Sequence, residues 1–144
     1  MMTQVSKQKL LSARLIPLTT NLDERGALTV IETDLDIPFT INRCYVLHHL
    51  NGPRGGHAHQ KTHQLVVAAS GSCQISLSDG IRNEMFVLDT PTQGLLLSPM
   101  TWIEMPIFSL DAVIVVLAST HYDSTQVIRD WDIFLHHQQQ ESIS

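Results

Sequence analysis

Between residues 14 and 118 the chain is a succession of short apolar runs, each closed by turn residues, with no space between them for a crossover helix. That cadence excludes parallel βαβ units and leaves an all-β sandwich or barrel of antiparallel strands. Strands are predicted over residues 14–18, 28–32, 42–50, 64–69, 72–78, 84–88, 95–98, 102–105 and 112–118. The turn Asp23-Glu24-Arg25-Gly26 precedes the second. Residues 64–69 and 72–78 read as a pair joined at Ser70-Gly71, and Asp79-Gly80 supplies a hairpin turn into the next strand. The run at 112–118 is unbroken Val, Ile, Leu and Ala, the composition of a strand buried on both faces.

The pattern changes after residue 120. Val127, Ile128, Trp131, Phe134 and Leu135 recur at helical spacing, with Asp123 and Gln126 as a cap pair, so one short amphipathic helix is expected to close the fold. A chain of 144 residues, 43% hydrophobic and 16% charged, suits one core. Flexible tails are expected over 1–10 and 138–144, flanking a single domain over 11–137.

Nine basic against fourteen acidic residues give a net charge of −5, which argues against a nucleic-acid partner but leaves room for a local basic pocket for a small anion. The N-terminal stretch has no secretory h-region and no run reaches membrane-spanning length, so a soluble cytoplasmic protein with no membrane partner is expected. Cys44 and Cys73 are then expected to be reduced and buried.

The densest polar cluster is PRGGHAHQKTHQ, from Pro53 to Gln64, with three histidines, an arginine and a lysine in twelve residues. On a strand, His57 and His59 share a face, and Lys61 and His63 keep that parity if the strand continues. In a small barrel that face is the interior. Two neutral imidazoles in one cavity suit proton transfer near pH 7. Gly55 and Gly56 let the backbone approach a ligand closely, and Arg54 can grip a phosphate through a fork of hydrogen bonds. The same block contains HxHxxxH, so His57, His59 and His63 also read as a metal site, with Glu104 the nearest further ligand. Arg43 and Tyr45 share one strand face as anion binder and cavity hydroxyl, opposite Cys44 and Val46. Trp102 and Phe108 offer flat faces to a ring or plain packing. No nucleophilic triad, G-x-G-x-x-G or Walker loop is present.

The ordered set of these pieces resembles the sugar nucleotide 3,4-ketoisomerases of the cupin superfamily, which act on TDP-4-keto-6-deoxyglucose. The likeness runs from about Leu15 to Phe134. It passes through Arg25-Gly26, Ile37-Pro38-Phe39, Arg43-Cys44-Tyr45, the Pro53-to-His59 block, Ser70-Gly71-Ser72, Asp79-Gly80 and Gly94. It continues through Pro99-Met100-Thr101-Trp102, Asp111-Ala112-Val113, Leu117-Ala118-Ser119, Tyr122-Asp123 and Ile128-Arg129-Asp130. Two departures stand out: Ile103 follows Trp102 where relatives often carry histidine, and His63 stands beside Gln64 where an acidic residue is expected.

The resemblance implies a jelly-roll domain, a homodimer with exchanged strands, and an isomerase that needs no cofactor. It implies His57 and His59 as catalytic residues with Tyr45. It places Arg54 beside the diphosphate or sugar of a TDP-linked 4-keto-6-deoxy sugar and Arg43 near the cavity, to which the reading of the residues adds Gly55, Gly56, Lys61 and Trp102 as substrate-binding, in a route that makes amino sugars for surface glycans such as O-antigen or S-layer chains. Two other readings stay open at the level of sequence: a metal-dependent cupin enzyme using His57, His59 and His63, and a non-catalytic sugar-nucleotide-binding domain.

Overall fold

The structure, a computed structural model, describes residues 13–143. The tail expected over 1–10 lies outside them. Twelve strands are arranged as β1 (Ala13–Pro17), β2 (Thr19–Asp23), β3 (Gly26–Val30), β4 (Arg43–Leu47), β5 (Arg54–His59), β6 (Gln64–Ser70), β7 (Cys73–Ser78), β8 (Asn83–Leu88), β9 (Gln93–Leu97), β10 (Trp102–Phe108), β11 (Val113–Ala118) and β12 (Val127–Ile128). One helix, α1 (Trp131–Ile143), follows.

Two five-stranded sheets, ordered β1-β9-β6-β11-β4 and β12-β5-β10-β7-β8, form a jelly roll, and every named pairing in them is antiparallel. The core between the sheets is built from alternate residues. Val66 and Ala68, Ile75 and Leu77, Ile103 and Met105, and Ile114 and Val116 face one another there, as period-two alternation requires. On the back of the first sheet Leu65, Val67 and Leu117 pack beneath Leu18, Ile37 and Phe39. This second layer explains why β11 is apolar on both faces.

Several expectations are corrected. β6 and β7 do not pair: β6 lies between β9 and β11, whereas β7 lies between β10 and β8, so the chain changes sheets at Ser70-Gly71-Ser72. Gly71 has φ 66°, and a Cβ there would stand 2.9 Å from the Ala112 Cα, so the corner has no space for a side chain. β2, polar in sequence as TTNLD, pairs only with β3, in a separate two-stranded sheet. β10 runs on to Phe108 past Pro106, which sits where the register slips between Glu104 and Ile107; a bulge is where a strand tolerates a residue without an N–H.

The C-terminal segment is the largest correction. Val127 and Ile128 are a strand pairing with His59 and Ala58 of β5, not the start of the helix. Asp123 caps a 3-10 turn (Ser124–Gln126), accepting from the Thr125 N–H. The helix begins at Trp131, with the Asp130 carboxylate accepting from the Ile133 N–H at 3.0 Å. It extends through Ile143, so residues 138–143 are helical where a loose tail is expected, and the Gln138 amide donates to the Asp79 carbonyl. Phe134, Trp102, Ile128 and Ala58 fix α1 against the back of the second sheet. Cys44 is exposed rather than buried, Cys73 is buried, and both are free thiols.

The Asp79-Gly80 hairpin forms as expected. The Asp79 carboxylate accepts from the N–H groups of Ile81 and Arg82, and β7 and β8 run in register from Ser78↔Asn83.

Candidate active site

The glycine pair sets the site. Gly55 (φ 99°) and Gly56 (φ 77°) both adopt backbone conformations that a side chain disfavours. β5 crosses β10 at a register shift between Ile103 and Glu104, and a Cβ on Gly55 would lie 2.7 Å from the Ile103 carbonyl oxygen. The backbones therefore meet at a distance only glycine permits. Beyond that crossing the strand alternates: Ala58 turns outward against α1, and His57 and His59 turn into the cavity with ring centroids 5.0 Å apart and planes at 88°.

Around the two imidazoles, Arg43 and Tyr45 of β4, Arg54 of β5, and Tyr122, Val127 and Arg129 of the C-terminal segment line a cavity of about 380 Å³. The Arg43 guanidinium lies 5.5 Å from the Tyr45 ring centre and 5.4 Å from that of Tyr122, held between two aromatic faces. Beneath it, Gln64 donates its side-chain amide to the Tyr45 hydroxyl at 2.9 Å. A narrower recess of about 70 Å³ continues into the core, where Ile103, Met105, Val66 and Val116 supply apolar walls. A third cavity, also about 380 Å³, opens sideways past Arg43 and His59 to Lys61, Thr62, His121 and Asp123.

The electrostatics favour neutral imidazoles among fixed cations. Burial pushes His57 below its ordinary value, with Arg129 and Arg54 adding to the effect and the Gly55 backbone opposing it. Burial also lowers His59, to about 4, helped by His57, Arg43 and Arg129. Burial raises the Tyr45 phenol, so it keeps its proton at neutral pH. Among the described residues, three buried nitrogens in this space have no protein partner: His57 Nδ1, His59 Nε2 and Arg43 Nε. Buried polar atoms rarely stay unpaired, and here they surround a space open to a ligand.

Of the residues expected at the site, His57, His59, Tyr45, Arg43, Arg54 and Gly55 come together. Lys61 reaches the side cavity next to His59. Gly56 provides its turn, with only Glu104 near where a Cβ would be.

Trp102 is a correction: it has the parity of Glu104, faces away from the histidines, donates its indole N–H to Glu104 at 2.9 Å, and packs on Trp131 and Phe134. The parity argument for His63 also fails, because β5 ends at His59. His63 is exposed, its ring 6.2 Å from that of Phe39, and among the described residues no group of three or more His, Cys, Asp or Glu converges as a metal site. Arg129, Tyr122, Val127 and Gln64 were not assigned to the site from the sequence, although Tyr122 and Arg129 stand in the motifs that carry the family resemblance. The two-residue step from Val127 to Arg129 was the available signal, and it was hidden by reading that stretch as helix.

Comparison with known proteins agrees with this geometry. Residues 11–139 match the family model described as FdtA: WxcM-like, C-terminal. Over 115 residues, 78% of this chain and 83% of the relative, the sequence is 45% identical to the TDP-4-oxo-6-deoxy-alpha-D-glucose-3,4-oxoisomerase of Aneurinibacillus thermoaerophilus. A 3,4-ketoisomerase from Helicobacter canadensis superposes with a TM-score of 0.88 at 35% identity, covering 90% of this chain and 99% of that one. A variant of the 3,4-ketoisomerase from Thermoanaerobacterium thermosaccharolyticum, solved with TDP-4-keto-6-deoxyglucose, gives 0.90 at 33% identity, covering 94% and 100%. The match over residues 11–139 makes this chain a member of the FdtA family of WxcM-like, C-terminal domains, and its sequence and architecture are similar to those of sugar 3,4-ketoisomerases.

Proposed function

We propose that this protein is a 3,4-ketoisomerase converting TDP-4-keto-6-deoxyglucose to the TDP-linked 3-keto-6-deoxyhexose. The observation that carries the reading is the pair His57 and His59, biased toward the neutral form, facing one cavity with a protonated tyrosine and three arginines.

The C4 ketone acidifies the hydrogen on C3. A neutral imidazole removes that proton, and the electron pair moves to give an enediolate across C3 and C4. O4 gains a proton, the O3 hydroxyl loses one, and a proton returns to C4, leaving the carbonyl at C3. Hydrogen moves within the sugar, so the sum needs no external oxidant or reductant. Donors aimed at the enediolate oxygens stabilise it, and Tyr45, Arg54 and a histidine that has just taken the proton are the candidates. Arg54, Arg43 and Arg129 supply positive charge for the diphosphate, and Lys61 extends that charge into the side cavity.

The protein works, in this reading, as a homodimer with exchanged strands. The β2–β3 hairpin is joined to neither large sheet, and its Leu22 and Leu28 are 80% and 60% exposed. β4, which carries Arg43 and Tyr45, is an edge strand of the first sheet. A hairpin with two exposed leucines, joined to neither large sheet, and an open edge beside the site suit strand exchange between copies. The 3-keto product is a substrate for amination at C3, consistent with a role in surface-glycan synthesis.

Incubation with TDP-4-keto-6-deoxyglucose in deuterated water, followed by proton NMR, tests the assignment. Loss of the C3 proton signal with growth of the 3-keto product is the expected result. Binding without exchange at C3 refutes isomerisation and leaves a sugar-nucleotide-binding domain.

A further inference from the structure

Among the described residues, Gln64 is a buried polar side chain hydrogen-bonded to a residue that lines the catalytic cavity. It is 5% exposed at the start of β6, one strand removed from β4, with β11 between them. Its face of β6 is the inner one, shared with Val66, and its amide nitrogen reaches the Tyr45 hydroxyl at 2.9 Å. An apolar residue would complete the recess more cheaply, because a buried amide costs free energy unless it is hydrogen-bonded. The amide therefore serves the hydroxyl it holds.

A phenol oxygen that accepts an N–H has its own proton left to donate. Arg43, over the ring of Tyr45, is also a donor and accepts nothing. The walls of the recess, Leu47, Val66, Ile103, Met105 and Val116, present apolar side chains and so offer no side-chain acceptor. The remaining direction for the proton is the cavity in which His57 and His59 stand.

We infer that Gln64 is a positioning residue: by donating to the Tyr45 oxygen it directs the Tyr45 O–H at the substrate oxygen that becomes negative in the enediolate. Gln64 touches no reacting atom itself. The inference rests on the proposed isomerase activity and adds a residue outside the histidine motif. It also gives Tyr45 a defined direction as a donor rather than a base.

The chemistry requires a donor at position 64, which sets apart two near-isosteric replacements. In Gln64→Met the side chain fills similar volume and donates nothing, so the phenol rotates freely. kcat is expected to fall on the order of 10-fold, with KM little changed, because the lost interaction is with the transition state. In Gln64→Glu an ionised carboxylate accepts the phenol proton and turns it away from the substrate, so kcat falls as far as in Tyr45→Phe. At acid pH the same carboxyl is protonated and donates as the amide did. The Gln64→Glu variant therefore recovers activity relative to wild type as pH is lowered, a profile that a packing role does not produce.

The double variant Gln64→Met/Tyr45→Phe completes the test. If Gln64 acts through Tyr45, the double variant is no slower than Tyr45→Phe alone; if the effects multiply, the inference is overturned. Unchanged kcat in Gln64→Met overturns it equally. A separate readout does not depend on turnover. Only two tyrosines are present, so ultraviolet titration in a Tyr122→Phe background isolates Tyr45. Removing the Gln64 donor is expected to move Tyr45 ionisation to higher pH, because the amide bond favours the phenolate. Absence of that shift shows that the hydrogen bond does not form and overturns the inference. Inactive wild-type protein with a normal Tyr45 shift sinks the isomerase assignment instead, so the two failures are distinguishable.

Discussion

Replacing Gly55 by alanine tests how tightly the catalytic strand is tied to the fold. The new Cβ meets two penalties. A φ of 99° is unfavourable for any side chain and costs about 1–3 kcal/mol. The Cβ also lies 2.7 Å from the Ile103 carbonyl oxygen and 2.9 Å from the Glu104 Cα, both backbone atoms, so β5 and β10 must part. Overpacking of that kind costs about a further 1–3 kcal/mol. Gly52→Ala is the control. Its φ of 106° carries similar strain, but nothing lies within 4 Å of the added Cβ.

Gly52→Ala should therefore lose about 1–3 kcal/mol and Gly55→Ala about 2–6 kcal/mol, out of a total stability of about 5–15 kcal/mol. In calorimetry the second variant should melt roughly 4–12 °C below the first. Because His57 is two residues from the forced gap, turnover should also fall. A misplacement of ~1 Å costs ~100-fold, so a shift half that size predicts a kcat lower by ~10-fold. Equal melting temperatures for the two variants would refute the reasoning, since the crossing would then have space that the structure does not show.

Other predictions follow from the same geometry. His57→Asn should abolish C3 proton exchange while leaving the melting temperature within a few degrees of wild type; wild-type exchange rates would remove His57 from the mechanism. Arg54→Ala should raise the Kd for TDP measured by calorimetry by roughly 10-fold or more through loss of a charged contact, and an unchanged Kd would count against it as an anion ligand. Phe134→Ala should cost about 3–5 kcal/mol and release α1, read as a red-shifted tryptophan emission because Trp102 and Trp131 both pack on that ring. His59 is held at about 4, below its ordinary value, so the unfolded chain takes up the proton first as pH falls. Stability should thus decline from about pH 6.5 towards 4 and be insensitive to this group above that range. The urea midpoint of His59→Asn should change less between pH 7 and pH 5 than that of wild type.

Local pattern made much of this protein legible. Period-two alternation separated Arg43 and Tyr45 from Cys44 and Val46 on β4, and strand parity put His57 with His59, because a pleated strand sends neighbouring side chains to opposite sides whatever surrounds it. Turn chemistry located Asp79-Gly80 for the same reason, since an aspartate that binds its own backbone needs no tertiary help.

Where two elements compete for one stretch, pattern alone was insufficient. Val127 and Ile128 satisfy a helical period, but the free edge of β5 offers them hydrogen bonds, and they become the strand that turns Val127 and Arg129 to the cavity. Trp102 and His63 were misplaced because parity counts only within an unbroken strand and does not say which face is inward. α1 covers one face of β10, and β5 stops before reaching His63. The pairing of Gln64 with Tyr45 depends on β11 separating β6 from β4, a distance in space that no local stretch encodes. Residue types and local periodicity thus determined the chemistry available to the chain, and long-range strand order decided which of those groups meet.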